Sequence, residues 1–397
     1  MGRTRRIRRR RLRLDQRRPV RIGADTAHAN LCRWMSRVGW RPVAQLAPAV
    51  FPDTGRGLMT LAALSAGDLV VRIPRHLLFT RERVLQQAPE LDMEWSSTAQ
   101  LLAAFLLRCR RLGHHPDYLS TLPTEYSVGG LCTAEEALTL PGPVREAVSH
   151  ARERLQEEYE KMSLLLDQQM SFRDFAWAWC AVNTRAVYYK EGGMALAPYL
   201  DLLNHSPGCS VQAGFNTESD CYEIRTGQAV ARFDQVFINY GPHDNLKLML
   251  EYGFVAADNG HACVEFEYAE VASLVADWGR HRAKKEVFLR QLQRHGGLFC
   301  DARGLGWNLR VALAVIDLPD AVLAPMRTVH DVGDVHNADV APSAGLLIRR
   351  KMKQLECRDD HLVETSASYQ AARALVADMR CLLERALSIT TSESDSF

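Results

Sequence analysis

The sequence lacks any close pair of cysteines. Its ten cysteines stand singly, with no CxxC, no CxC and no tight Cys/His cluster. That spacing argues against structural zinc, and no metal site is expected. A chain of 397 residues buries enough core to fold without disulfides, so free thiols in a reducing compartment are the expectation. No apolar run approaches the roughly 20 residues that cross a bilayer, and no apolar h-region follows the basic start. A soluble intracellular protein without membrane attachment, working as a monomer, is therefore expected. No GxSxG elbow accompanies His205-Ser206, which argues against a Ser/His hydrolase. No internal repeat and no RNA- or DNA-binding motif is present.

Acid is almost missing from the start, where 11 of the first 21 residues are arginine against the single Asp15. The whole chain carries +2, so the remainder is net acidic. Residues 1–25 cannot bury themselves and are expected to be a disordered arm. Such an arm attracts nucleic acid weakly and with salt dependence, serves as an import signal, or is a solvated tail. A mitochondrial presequence is also Arg-rich and acid-poor. Three consecutive basic clusters without amphipathic spacing favour nuclear import, with a distribution over nucleus and cytoplasm.

The rest of the chain divides by pattern. From Leu46 to Pro74, turn signals at Pro52-Asp53-Thr54-Gly55 and Ala66-Gly67-Asp68 separate short apolar runs, which predicts strands. Helical spacing follows in Leu101, Leu102, Phe105, Leu106 and Cys109, and again from Val144 to Leu166, where Pro143 suits the first turn. A third helix runs from Phe172 to Cys180. Short strands are then predicted at Pro198–Leu203, Cys221–Ile224 and Val236–Tyr240, followed by a helix from Asp244 to Tyr252 closed by Gly253. After one more strand at Cys263–Tyr268, helices are predicted over 282–295, 305–318, 341–356 and 361–389. The fold class is α+β, a β-rich domain over 46–256 split by a helical insert at about 80–182. A mainly helical domain follows over 257–397.

Three segments are unusual for scaffold: Thr54-Gly55-Arg56-Gly57-Leu58, Leu200-Asp201-Leu202-Leu203-Asn204-His205-Ser206-Pro207 and Phe237-Ile238-Asn239-Tyr240-Gly241. Each alone has a plain structural reading. A GxG is a turn, Asn-His-Ser caps a strand end, and a strand-end tyrosine is a snorkelling aromatic. In this order and at this spacing, however, they closely resemble the SET-domain methyltransferases. More narrowly, the chain resembles the subfamily containing the Rubisco large-subunit lysine methyltransferase. His115–Pro123 and Glu251-Tyr252-Gly253-Phe254 fit that subfamily too.

The resemblance implies a SET domain of knotted short sheets split by an insert, a helical substrate-binding domain, and S-adenosylmethionine as cofactor. It implies transfer of a methyl group to a lysine of a protein substrate, histone or other. Cofactor contacts map to the backbone at Asp68, Leu69 and Val70 and to Arg185, Asn204, His205, Tyr240, Gly253 and Phe254. Tyr240 is the catalytic position, its hydroxyl beside the transferring methyl. Arg185, Tyr189, Asp201 and Tyr252 match substrate-channel positions. His205 reads by itself as a general base, whereas the resemblance makes it a structural and cofactor-holding residue.

Chemistry agrees with such parts. Methyl transfer to an amine is an in-line displacement, so the protein aligns donor and acceptor and excludes water. A lysine with pKa near roughly 10.4 must lose its proton first, and an apolar channel beside a sulfonium favours the neutral amine. Relatives that methylate histidine carry a polar amide where this chain has Val187, so lysine is expected. A non-catalytic adaptor on the same fold is the rival reading. Phe215-Asn216-Thr217-Glu218 lacks a tyrosine found in the plant enzyme, and Ala231–Gln235 lacks the usual Gly-Glu.

Overall fold

Turn chemistry cuts the first third of the chain into paired strands. In the computed structural model, residues 20–21, 25–166, 170–190, 193–275, 281–328, 331, 340–356 and 365–394 are described. Strands β2 (Leu46–Phe51) and β3 (Gly55–Thr60) form a hairpin about Gly55, whose φ of 68° favours glycine. Strand β4 (Leu69–Pro74) follows a turn in which Gly67 takes φ 91°.

Most of the arginine-rich segment lies outside the described residues, and its expected disorder with it. Val20 and Arg21 do not fit that expectation. They form β1, antiparallel to Val50 and Ala49 of β2, since backbone pairing at a sheet edge requires no apolar side chain. The helix Thr26–Arg37 was not predicted. Asp25 caps it through the His28 amide at 3.0 Å, but only Leu31 and Met35 are buried, too short a stripe to read as a period.

The chain forms two compact units, one of residues up to Tyr126 with Arg154–Pro242, the other of Ser127–Glu153 with the chain from His243 onward. This division differs from the sequence-based domains at both ends. Cys132, Ala137, Leu140, Val144 and Val148, from the expected insert, share a core with Leu309, Leu313, Leu347 and Leu375. Periodicity marks a buried face without naming the surface that covers it.

In the first unit, the helices Thr98–Leu112 and Phe172–Arg185 pack together. Leu101, Leu102, Phe105, Leu106 and Cys109 are buried as their spacing predicts. Strand β9 (Cys221–Thr226) lies between β4 and β8 (Val211–Asn216), antiparallel to both. Strands β5 (Val187–Tyr189) and β6 (Gly193–Ala195) form a ribbon. Strands β7 (Asn204–His205) and β10 (Phe237–Ile238) are two-residue strands paired in parallel. Pro198–Leu203, predicted as a strand, instead makes a one-turn helix at Leu200–Leu202, entered by Tyr199 at φ 75°. So bulky a residue is costly there. Burial of the Tyr199 ring at 4.7 Å from Trp40 offsets that cost.

The second unit is less purely helical than its period suggested. Strand β11 (Cys263–Phe266) pairs antiparallel with β12 (Leu298–Asp301), which turns through Gly304 (φ 110°) into β13 (Gly304–Leu305). The helices Arg282–His295, Trp307–Asp317, Ala341–Gln354 and Ala367–Ser394 complete it. Residues 361–364, expected to open the last helix, lie outside the described residues. Among the described residues no helix is long and apolar enough to cross a membrane. Nor do three metal-ligating side chains converge among them.

Candidate functional site

The three unusual segments meet in the first unit. Asn204, opening β7, donates its amide Nδ2 to the carbonyls of Arg56 at 2.8 Å and Thr54 at 3.4 Å. It therefore holds the Gly55-Arg56-Gly57 run from about 150 residues away in sequence. Gly57 is glycine for a steric reason. A Cβ there would stand 2.3 Å from Gln235 Nε2 and 2.8 Å from Asn204 Nδ2.

His205 is buried, and its Nδ1 accepts the Tyr240 backbone N–H at 3.1 Å. An Nδ1 committed as acceptor places the neutral ring's proton on Nε2. The ring lies 5.1 Å from the Tyr240 ring. This supports a structural part for His205 rather than proton abstraction through Nδ1. Parallel pairing of Asn204 with Phe237 and of His205 with Ile238 carries Tyr240 to this position. Tyr240 Oη donates to the Leu203 carbonyl at 2.9 Å. A phenol that has given its proton to a carbonyl presents its oxygen to a substrate only as an acceptor.

Behind this cluster lies a buried charge group. Arg185, ending the helix Phe172–Arg185, donates through Nη1 to the Asp201 carbonyl at 2.6 Å, and the same nitrogen stands 4.0 Å from the Asp201 carboxylate. Tyr118, fully buried, donates its hydroxyl to Asp201 Oδ2 at 2.9 Å. Burial pushes the Asp201 carboxyl above its usual range against the pull of Arg185. Burial also opposes the Arg185 charge, but Asp201 and the tyrosines outweigh it and keep the guanidinium protonated. Tyr126, raised by its burial, lies beside Arg185. Three buried polar atoms of this group, Tyr126 Oη, Arg185 Nε and Asp201 Oδ1, have no hydrogen-bond partner in the structure.

The other sequence-derived positions lie elsewhere. Asp68 accepts the Ser65 N–H at 2.8 Å and closes the turn before β4. Leu69 pairs with Arg225, and a bulge between Leu69 and Val71 leaves Val70 buried in the β4–β9 sheet. Tyr189 packs edge-on against Phe215 at 5.0 Å, and the Lys190 ammonium lies over both rings. Phe215 thus supplies the aromatic surface in a segment that lacks tyrosine. Val187 pairs with Ala195 across the ribbon.

Tyr252, Gly253 and Phe254 belong to the second unit. Asp244 caps Asn245–Lys247 through the Lys247 amide, and Leu248–Tyr252 then widen into a π-turn ended by Gly253 at φ 82°. A Cβ on Gly253 would fall 2.4 Å from Ser127 Oγ and 2.5 Å from the Ser127 carbonyl carbon. The Ser127 hydroxyl donates to the Gly253 carbonyl at 2.7 Å. Asn245, buried, bonds the Ala256 carbonyl at 3.1 Å and Asp378 at 2.8 Å. Tyr252 stacks on His243 at 5.9 Å and stands edge-on to Phe254 at 6.4 Å.

Sequence reasoning missed Tyr118, Tyr126 and Gln235. Tyr118 lay inside the quoted segment His115–Pro123, flanked by Asp117 and Leu119, and no spacing singled it out. Nothing in the sequence marked Tyr126.

A model of the SET domain matches residues 55–241, from the first glycine of the hairpin to the residue after Tyr240. The chain is 35% identical over 347 residues to mouse SET domain-containing protein 4, covering 80% of this chain and 78% of that protein. It is 26% identical over 262 residues to mouse actin-histidine N-methyltransferase, covering 60% of this chain but only 44% of that protein. Among solved structures, the SET domain of LSMT bound to lysine and AdoHcy superposes with a TM-score of 0.65. That match spans 93% of this chain and 92% of the other at 16% identity, a likeness of fold.

Proposed function

The chain belongs to the SET-domain family, and from that premise we propose that it is an S-adenosylmethionine-dependent protein-lysine N-methyltransferase. The observation that carries the reading is Tyr240. Its hydroxyl is turned to the Leu203 carbonyl and its backbone is tied to His205. A protein using the fold only as an adaptor has no need of an acceptor-only phenol held by its neighbours.

The residues fit the cofactor. Arg185 Nε is a buried donor and Asp201 Oδ1 a buried acceptor, both without partners. Leaving such groups unpaired costs about 1–3 kcal/mol each. The zwitterionic amino-acid end of S-adenosylmethionine carries both complements, a carboxylate for the guanidinium and an ammonium for the carboxylate. Arg185 and Asp201 would hold that end, with Asn204 and His205 keeping the surrounding backbone in place. Bound there, the cofactor supplies an electrophilic methyl group on a sulfonium.

The chain's own residues do the rest. The amine must arrive neutral, and an apolar lining that disfavours the ammonium promotes loss of its proton. Tyr240 Oη, an acceptor, orients the remaining N–H so that the nitrogen lone pair points along the line of transfer. Lysine is favoured over histidine because Val187, paired with Ala195, presents an apolar side chain suited to an alkyl stem. The likeness to an actin-histidine enzyme keeps histidine as the alternative acceptor to be measured.

The test is incubation of labelled S-adenosylmethionine with cell lysate and the wild-type chain, Asn204→Ala or Tyr240→Phe, with amino-acid analysis of the product. Wild type should label protein on lysine. Asn204→Ala should abolish labelling, and Tyr240→Phe should reduce it or alter the number of methyl groups added. A wild type that labels nothing and binds no cofactor by calorimetry overturns the enzyme reading; label on histidine overturns the lysine assignment.

A further inference from the structure

Gln235 belongs to the segment Phe233–Val236, which pairs with β3. The Phe233 and Val236 amides donate to the carbonyls of Thr60 and Leu58, and Gln235 itself bridges Met59. Its side chain turns back to the start of β3, where Oε1 accepts the Thr54 hydroxyl at 2.7 Å. The other end of the same amide, Nε2, is buried and has no hydrogen-bond partner. It occupies the space above Gly57, at 2.3 Å from the position a Cβ would take, with the Asn204 amide on the same spot at 2.8 Å. Glycine at 57 thus lets two side-chain amides converge on one stretch of backbone.

The bond to Thr54 accounts for only half of that amide. An apolar side chain would fill the space without stranding a donor, and a buried N–H without an acceptor costs about 1–3 kcal/mol. A ligand oxygen delivered to this place removes the cost. We propose that Gln235 is a cofactor-binding residue, its Nε2 amide donating to an acceptor oxygen of S-adenosylmethionine beside the Gly55-Arg56-Gly57 turn. The proposal rests on the methyltransferase reading above, and it goes beyond the resemblance, which placed no cofactor contact at this position.

Gln235→Glu and Gln235→Met separate a donor from a latch. Glutamate keeps an oxygen for Thr54 and loses the donor, whereas methionine loses both at similar volume. Calorimetry on the full chain should give a Kd for S-adenosylmethionine about tenfold higher in both variants, with Tm in the glutamate variant close to wild type. A second titration with 5′-deoxy-5′-methylthioadenosine, which lacks the amino-acid end, locates the oxygen. Weakening for S-adenosylmethionine alone assigns the carboxylate; weakening for both assigns a ribose hydroxyl. Unchanged or tighter binding by Gln235→Glu overturns the proposal and leaves the amide as a latch on Thr54. The methyltransferase reading survives that outcome, and it fails instead if wild type binds neither compound.

Discussion

In the first unit, Asn204, His205 and Tyr240 are held by hydrogen bonds between side chains and distant backbone, while in the second, Tyr252 and Phe254 ride on a turn locked by steric closeness. The Asn204 amide, the His205 ring nitrogen and the Tyr240 hydroxyl each bond to backbone 35 or more residues away. Around Gly253 the positive φ and the Ser127 backbone together leave no room for a Cβ. A single hydrogen bond contributes about 0.5–1.5 kcal/mol and can be exchanged or titrated. A close approach of backbones fails all at once. Groups held by such bonds can rearrange one at a time, whereas the locked turn keeps one conformation.

The comparison breaks first at Gly253. Gly253→Ala combines left-handed strain with a clash against Ser127 and should destabilise the chain by about 2–4 kcal/mol. Urea unfolding against Asn204→Ala checks the contrast, since a hydrogen-bond loss should cost about 1 kcal/mol. Equal losses would show that both sites are held alike.

The buried charge behind Tyr240 sharpens the polar side of the comparison. Burial raises the Asp201 carboxyl above its unfolded value, with Arg185 opposing. A raised carboxyl stabilises fully below the unfolded pKa near roughly 3.9, and that contribution is lost as pH rises through the native value. Relative to Asp201→Asn, wild type should therefore lose stability on going up from about pH 4, at up to about 1.4 kcal/mol per pH unit. Urea midpoints of both proteins across pH measure this. A flat difference would mean that Arg185 fully compensates the buried charge.

The smallest effect is expected at Asp378, a carboxylate tied to the locked turn through Asn245. Burial raises this carboxyl as well, with the Asn245 hydrogen bond pulling the other way. Asp378→Asn keeps an oxygen for Asn245 and removes the charge, so stability at neutral pH should rise by about 0.5 kcal/mol or less. A loss above 1 kcal/mol would show that charge as well as closeness holds the turn.

Much of this was legible before the fold was known. Gly253 reads as a helix-ending glycine, Pro143 and the spacing from Val144 onward read as a helix, and the three unusual segments carry their order openly. Strands β12 and β13 were missed because four residues between helical stretches carry too little alternation, although glycines flank them. The allegiance of Ser127–Glu153 was hidden for a different reason. An amphipathic stripe is the same whichever core it faces.

The sequence by itself determined the Leu46–Thr60 hairpin and the longer amphipathic helices, because turn chemistry and hydrophobic period act over a few residues. It also placed Asn204, His205 and Tyr240 in one segmental order. Only the tertiary structure decided that Tyr118 and Arg185 both bond to Asp201, that Tyr240 turns its hydroxyl to Leu203, and that Gln235 lies over Gly57. A buried donor takes whichever acceptor the fold brings within about 3 Å, and that choice leaves no period or spacing in the chain.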